Sequence, residues 1–305
     1  MNNPFNRTAV FISLGLALFL VVGVLFGSKY FFNEYARQPI PMTPLPSPQA
    51  DSAECAALIE ALPEKLGGLD RAEIAEPVPA GTAAWAETSD QPTTLRCGVD
   101  LPFQYTEYST TEEIDGTRWL EVADMTPGST LTTWYSTNRF PNVALTSWDD
   151  EFPTELSEST AMLAQEDQAP RPGPLSELKP AGEQERCAAL DANLRAGFEL
   201  AEGYAYNGEF SKDHTHVWTA QSREPVVVRC GVQDAEGYEA GVQLQQIDGL
   251  PWFEDTTLAA GTTAGAWYAM GRDVNVAVHA PQDAAQEALV NLSAAIEATT
   301  VEVAS

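Results

Sequence analysis

The chain has 305 residues, 44% hydrophobic and 9% aromatic, enough to bury one or two ordinary cores. The net charge is −28, and the part beyond Arg37 carries −30, with 43 Asp and Glu against 13 Lys and Arg. Such a surface argues against nucleic acid and against adhesion to anionic headgroups, and leaves uncharged or cationic partners.

The first predicted element is Ala9 to Gly27, 19 consecutive positions without a charge. At 1.5 Å rise per residue it spans about 28 Å, the thickness of a bilayer's hydrocarbon. Bulky aromatic residues follow it ("SKYFFNEYARQP") where a cleaved leader has a small-residue site, so an uncleaved anchor over residues 9–30 with a cytoplasmic tail of residues 1–8 is expected. Flanking cations are balanced across the span and leave the orientation open. Residues 31–50 follow as a linker, with five prolines between Pro39 and Pro48. A polyproline II segment of that length is expected to hold the rest of the chain roughly 30 Å from the membrane.

Beyond it the chain is written twice. At an offset of 133, residues 85–145 align on 218–278 without a gap, and 21 of the 61 pairs are identical. Shared positions include Arg-Cys-Gly-Val at 96–99 and 229–232, Asp115-Gly116 and Asp248-Gly249, and Asn142-Val-Ala and Asn275-Val-Ala. The leading Cys-Ala-Ala-Leu blocks align at an offset of 132, so one indel separates the first helix from Trp85 and Trp218. Units of residues 51–165 and 183–305 are expected, joined by a second Pro-rich linker, 166–182.

Each unit reads helix first, with Asp51 and Glu54 as a capping box and apolar positions at 55, 58, 59, 62 and 66. Strands are expected near 93–99 and 141–147, with a type I′ hairpin at Asp115-Gly116. The second unit repeats the pattern and closes with a helix from Pro281 that buries Ala285, Ala288, Leu289, Leu292 and Ile296. The fold class is α+β: an N-terminal transmembrane helix, then two tandem antiparallel sheets, each with N- and C-terminal helices on one face.

Cys55, Cys97, Cys187 and Cys230 form two pairs spaced 42 and 43 apart, with no metal-type spacing. Equal spacing at equivalent repeat positions predicts the disulfides Cys55–Cys97 and Cys187–Cys230, formed outside the cytoplasm. The C-terminal domain is therefore expected to face out.

The anchor, the Pro-rich linker, "CAALIEALPEKLGGL", "AAW", "LRCGV", "IDGTRWL" and "TWYSTNR" together resemble the actinobacterial domain of unknown function 3515 family. The second unit resembles it as a diverged copy that lacks the Leu-Pro-Gly-Gly segment. The resemblance implies a single-pass envelope protein of high-GC Gram-positive bacteria and implies no activity.

No Gly-x-Ser-x-Gly, Walker or dinucleotide pattern occurs, and Ser176–Lys179 matches Ser-x-x-Lys without its companion motifs. His214 and His216, near Glu209 and Asp213, are the best metal candidates; Gly81 and Ala83 replace them in the first copy, so they read as solvated loop residues, and no metal or cofactor is expected. Trp119, Trp134, Trp252 and Trp267 recur and are candidates for a sugar- or lipid-binding groove, against a packing role beneath the sheet. Arg139 and Arg272 are a repeated cation, a candidate anion contact against a helix-end or ion-pair role. The function expected is non-catalytic binding of an envelope protein, lipid or glycan. A hydrolase or transferase acting on cell wall or lipid is the alternative.

Overall fold

The computed structural model describes residues 7–36, 38–149, 151–182, 184–195, 197–239, 241–258 and 262–303, so residues 1–6 of the expected tail lie outside it. Helix α1, Arg7–Ala36, contains the apolar window Val10–Lys29, of mean hydropathy 2.7, none of it buried. It is long and apolar enough to cross a membrane.

The first unit opens with α2, Ala53–Ala61. Its N-cap is Ser52 rather than the expected Asp51: the Ser52 hydroxyl accepts from the Cys55 amide at 3.2 Å. Pro63 disfavours helical geometry at Leu62, which is extended, and the helix stops there. Six main strands follow: β1 Thr82–Trp85, β2 Thr93–Cys97, β3 Glu112–Ile114, β4 Thr117–Ala123, β5 Thr132–Ser136 and β6 Val143–Ser147. They form one antiparallel sheet in the order β1-β2-β6-β5-β4-β3. Both Asp115 and Gly116 have positive φ (49° and 78°), as the expected hairpin requires. A single short helix, α3 Ser157–Thr160, closes the unit.

In the second unit α4, Ala188–Arg195, precedes β7 Ala205–Tyr206, β8 Thr215–Thr219, β9 Val226–Cys230, β10 Gln245–Ile247, β11 Leu250–Glu254, β12 Ala264–Ala269 and β13 Val276–Pro281. The order β7-β8-β9-β13-β12-β11-β10 repeats the first sheet strand for strand, with β7 added at the edge. Helix α5, Gln282–Thr299, buries the five residues expected of it.

Both disulfides form within units, Cys55–Cys97 and Cys187–Cys230, with Cα atoms 5.6 and 5.9 Å apart. Each staples the first helix to the first long central strand. Helices cover one face of each sheet, over cores built on Leu58, Trp85 and Leu145 in the first unit and Leu190, Trp218 and Leu292 in the second.

The Pro-rich segments are not free spacers. Ile40 pairs with Ile74, donating to the Glu73 carbonyl at 2.8 Å and accepting from the Ala75 amide at 2.9 Å. Ile40 and Met42 are buried against Ala84 on the face of the sheet opposite the helices. At most about 14 Å of extended chain therefore separates Ala36 from the docked Ile40, so the expected stand-off of roughly 30 Å is not present. Prolines at 39 and 41 remove only their own amides, so the Ile40 amide and carbonyl remain free to pair, and its buried apolar side chain anchors the strap. The 166–182 segment docks in the same way: Ala181 donates to the Gly231 carbonyl as Gln49 does to Gly98.

The other face of the second sheet is also buried. Val217, Val227, Tyr268 and Ala277 share a cluster with Leu175 of the strap and Tyr108 of the first unit. The two units thus have a common core. Across the same junction Ala123 donates to the Ser222 carbonyl at 2.9 Å, and Tyr108 stands 5.8 Å from Phe210.

Candidate functional site

The junction forms two clefts. The larger, about 1210 Å³, lies between the β4–β5 and α3 end of the first unit and the 221–223 turn of the second. Five carboxylates line it (Glu121, Asp124, Asp149, Glu151 and Glu155), with Arg223 the one cation among its described lining residues. The Thr126 hydroxyl and amide bond the Asp124 carboxylate at 2.7 and 3.0 Å and hold it below the usual carboxylate range. Arg223 lies 3.5 Å from Asp283 and is largely neutralised by it. Leu66, Met125 and Phe152 add apolar area to the same walls.

The smaller cleft, about 320 Å³, lies between the 103–106 loop, the second strap and one end of the central strands β9 and β13 of the second sheet. Glu224 and His279 line it. Burial raises the Glu224 carboxyl above its usual range, against hydrogen bonds from Thr263, Thr262 and Gln104. His279 is 3% exposed and its Nδ1 has no hydrogen-bond partner. Burial lowers its pKa from 6.5 to about 4, so the imidazole is neutral at physiological pH.

None of the repeated tryptophans lines either cleft. Trp119, Trp134, Trp252 and Trp267 are all buried in the two helix-side cores, in the packing role that was the alternative to a groove. Trp252 donates to the Ser293 hydroxyl at 3.0 Å, and Trp119 packs on Phe152 at 4.7 Å. Arg139 and Arg272 both satisfy carbonyls at the end of the closing helical segment. Arg139 bonds Gly116 and Leu163, and Arg272 bonds Glu297 and Thr300 at the C-terminus of α5. Ser176 and Lys179 lend backbone carbonyls to the second strap, with Arg229 donating to Ser176 at 2.8 Å and Gln233 to Lys179 at 2.9 Å.

His214 and His216 are not solvated loop residues. His216 is fully buried, and its Nε2 lies 2.8 Å from Asp191 Oδ1, while His214 Nδ1 lies 2.6 Å from Asp191 Oδ2. Tyr206 contacts the other nitrogen of His216 at 3.2 Å. The cluster ties α4 to β8 alongside the disulfide. Although burial opposes ionisation of Asp191, the two histidine hydrogen bonds prevail and hold its carboxyl below the usual range. A signal for it was present: Asp191 aligns with Ile59, so a carboxylate on the buried face of α4 appears together with two histidines in place of Gly81 and Ala83. Among the described residues no group of three or more His, Cys, Asp or Glu is arranged to hold a metal ion.

No curated protein and no solved structure matches the chain. The family described as Protein of unknown function (DUF3515) matches it twice, over residues 14–171 and 159–304, and each match takes in the strap that precedes its unit. With nearly the whole length covered by two overlapping matches, the chain belongs to the DUF3515 family as a tandem copy of its unit.

Proposed function

We propose that this is a single-pass membrane protein of the bacterial envelope, its C-terminal domain extracytoplasmic, that binds a cationic or uncharged envelope component or partner protein without covalent chemistry. The observation that carries the reading is the larger junction cleft, which neither unit makes alone and which carries five carboxylates against one paired arginine. At about 1210 Å³ it exceeds the roughly 300–1,000 Å³ of small-molecule sites and suits an extended polymer or a partner's segment. The apolar helix α1 and the two disulfides support the topology.

The test places a photo-crosslinking residue at Gln221, on the cleft wall, and another at Glu185, outside it, in the full chain in living cells. A discrete adduct from position 221, absent from 185 and lost in the Asp124→Lys, Glu155→Lys double variant, is expected. Equal adducts from both positions, or none from 221, would overturn the reading. So would hydrolysis of cell-wall or ester substrates by the purified protein that one side-chain substitution abolishes without unfolding it.

A further inference from the structure

A third cleft, about 500 Å³, opens in the first unit beside the start of the first strap, with Gln38, Arg71, Glu73 and Glu87 among its walls. Arg71 pairs with Trp85 at the edge of the sheet, and its guanidinium stands 4.9 Å from the Trp85 ring centroid. That guanidinium is half-buried and makes no hydrogen bond or ion pair among the described residues. Burial lowers its pKa from the ordinary range, against the field of Glu64. In the second unit Tyr206 holds the same pairing position and lies 5.3 Å from the Trp218 ring. The shared fold therefore needs a flat side chain over this tryptophan and not a charge. A guanidinium is a planar fork of five donors that matches a phosphate, and here the fork is unused. Asp70 pairs with Lys65 at 2.7 Å, which leaves Glu73 and Glu87 as the exposed carboxylates of the cleft.

The place of the cleft in the chain narrows the ligand. Gln38 stands two residues beyond Ala36, so at most about 7 Å of chain joins the end of α1 to the cleft wall. Tyr30, Phe31, Phe32 and Tyr35 precede that end, and such aromatic residues gather at the level of lipid headgroups. We propose that the cleft takes the zwitterionic phosphoethanolamine headgroup of a bilayer lipid, its phosphate on the Arg71 guanidinium and its ammonium on Glu73 and Glu87. An anionic headgroup without an amine brings its charge against two unmatched carboxylates. A simple amine leaves Arg71 unmet, and a phosphocholine has no N–H to give the carboxylates. The volume falls within the roughly 300–1,000 Å³ of small-molecule sites. This assignment rests on α1 crossing the membrane with the first unit beyond it, as proposed above.

The full chain in micelles of an uncharged glycoside detergent is titrated with sn-glycero-3-phosphoethanolamine, the headgroup without its acyl chains, by calorimetry against an empty-micelle blank. Saturable binding is expected, at least tenfold weaker for sn-glycero-3-phosphate and for ethanolammonium chloride. Arg71→Tyr installs the flat side chain of the second unit, and circular dichroism checks that it stays folded. Affinity in this variant should fall at least tenfold, and several-fold in the Glu73→Gln, Glu87→Gln double variant. To separate a lipid from a free phosphodiester, the same titration is run in phosphatidylcholine nanodiscs with and without phosphatidylethanolamine. The lipid should occupy the cleft and weaken the soluble probe at least tenfold. No saturable binding, an equal response to sn-glycero-3-phosphate, or unchanged affinity in Arg71→Tyr would overturn the proposal. Equal affinity in the two kinds of disc would overturn the lipid as the ligand. The micelle titration does not depend on α1 crossing a bilayer, and no outcome reports on the larger cleft.

Discussion

Each residue of the duplicated Arg-Cys-Gly-Val block has one job, and the four jobs together explain why it occurs twice. Arg96 donates to the Thr43 carbonyl at 2.7 Å, and Arg229 to the equivalent Leu175 carbonyl at 2.6 Å, so each arginine clamps its strap. The cysteine staples the helix, and Val99 and Val232 are buried. Gly98 has φ +81°, and a Cβ there would sit 2.4 Å from the backbone of Gln49 and Ala50. Gly98→Ala is therefore expected to lose about 3 kcal/mol or more in urea unfolding, from left-handed strain plus displacement of the strap. His279 gives a pH signature. Its folded pKa is lowered from 6.5 to about 4, so in that window the unfolded chain binds the extra proton. Stability is then fully present above about pH 6.5 and falls as pH drops towards 4, by roughly 3 kcal/mol for a shift of this size. Unfolding curves for His279→Thr should lack that part of the slope.

Among the elements, those with strong local signals were legible in the sequence: α5 from its apolar period, the hairpin from Asp115-Gly116, and β2 and β9 from their shared motif. Strand β1, Thr82–Trp85, was not, because its Ala-Ala centre has weak strand propensity and its pairing with β2 is set by the sheet. The straps were misread as spacers because proline content reports an extended backbone and says nothing of whether that backbone docks. The histidine cluster escaped because its carboxylate, Asp191, lies 23 residues before His214 in sequence. Removing that carboxylate leaves a fully buried imidazole without its partner, so Asp191→Ala should cost about 2–4 kcal/mol. As the folded carboxyl lies below its ordinary range, this contribution is present above about pH 4 and is lost as pH falls further. The divergence of the segment after the first helix has a visible consequence as well. In the first unit Trp85 donates to the Pro63 carbonyl at 2.9 Å, and in the second, where Arg195 stands at the position of Pro63, Trp218 Nε1 has no partner. The second unit has the 18-residue α5 where the first has only four residues in α3. Opening Cys187–Cys230 by a Cys187→Ser, Cys230→Ser pair should cost about 3–4 kcal/mol, the entropy of a loop of 43 residues.

The whole molecule is a duplication in which the copies have become unequal. The second strap serves two masters, since Arg171 pairs with Thr106 and Tyr105 of the first unit while Leu175 enters the second unit's outer core. Tyr108 fills the same core, and a Cβ on Gly173 would meet its ring at 2.2 Å. Tyr108→Ala should therefore loosen the junction, costing about 3–5 kcal/mol if the units unfold together. Both clefts exist only while the units are joined, so the account rests on that junction. Amide hydrogen exchange of the full chain measures it most directly. The amides of Ala123, Arg171 and Gly173, which donate to Ser222, Tyr105 and Glu107, should be protected to the same degree as those of β4 and β9. Fast exchange at these three, with the strands still protected, would mean two units that move apart freely, and would contradict the account.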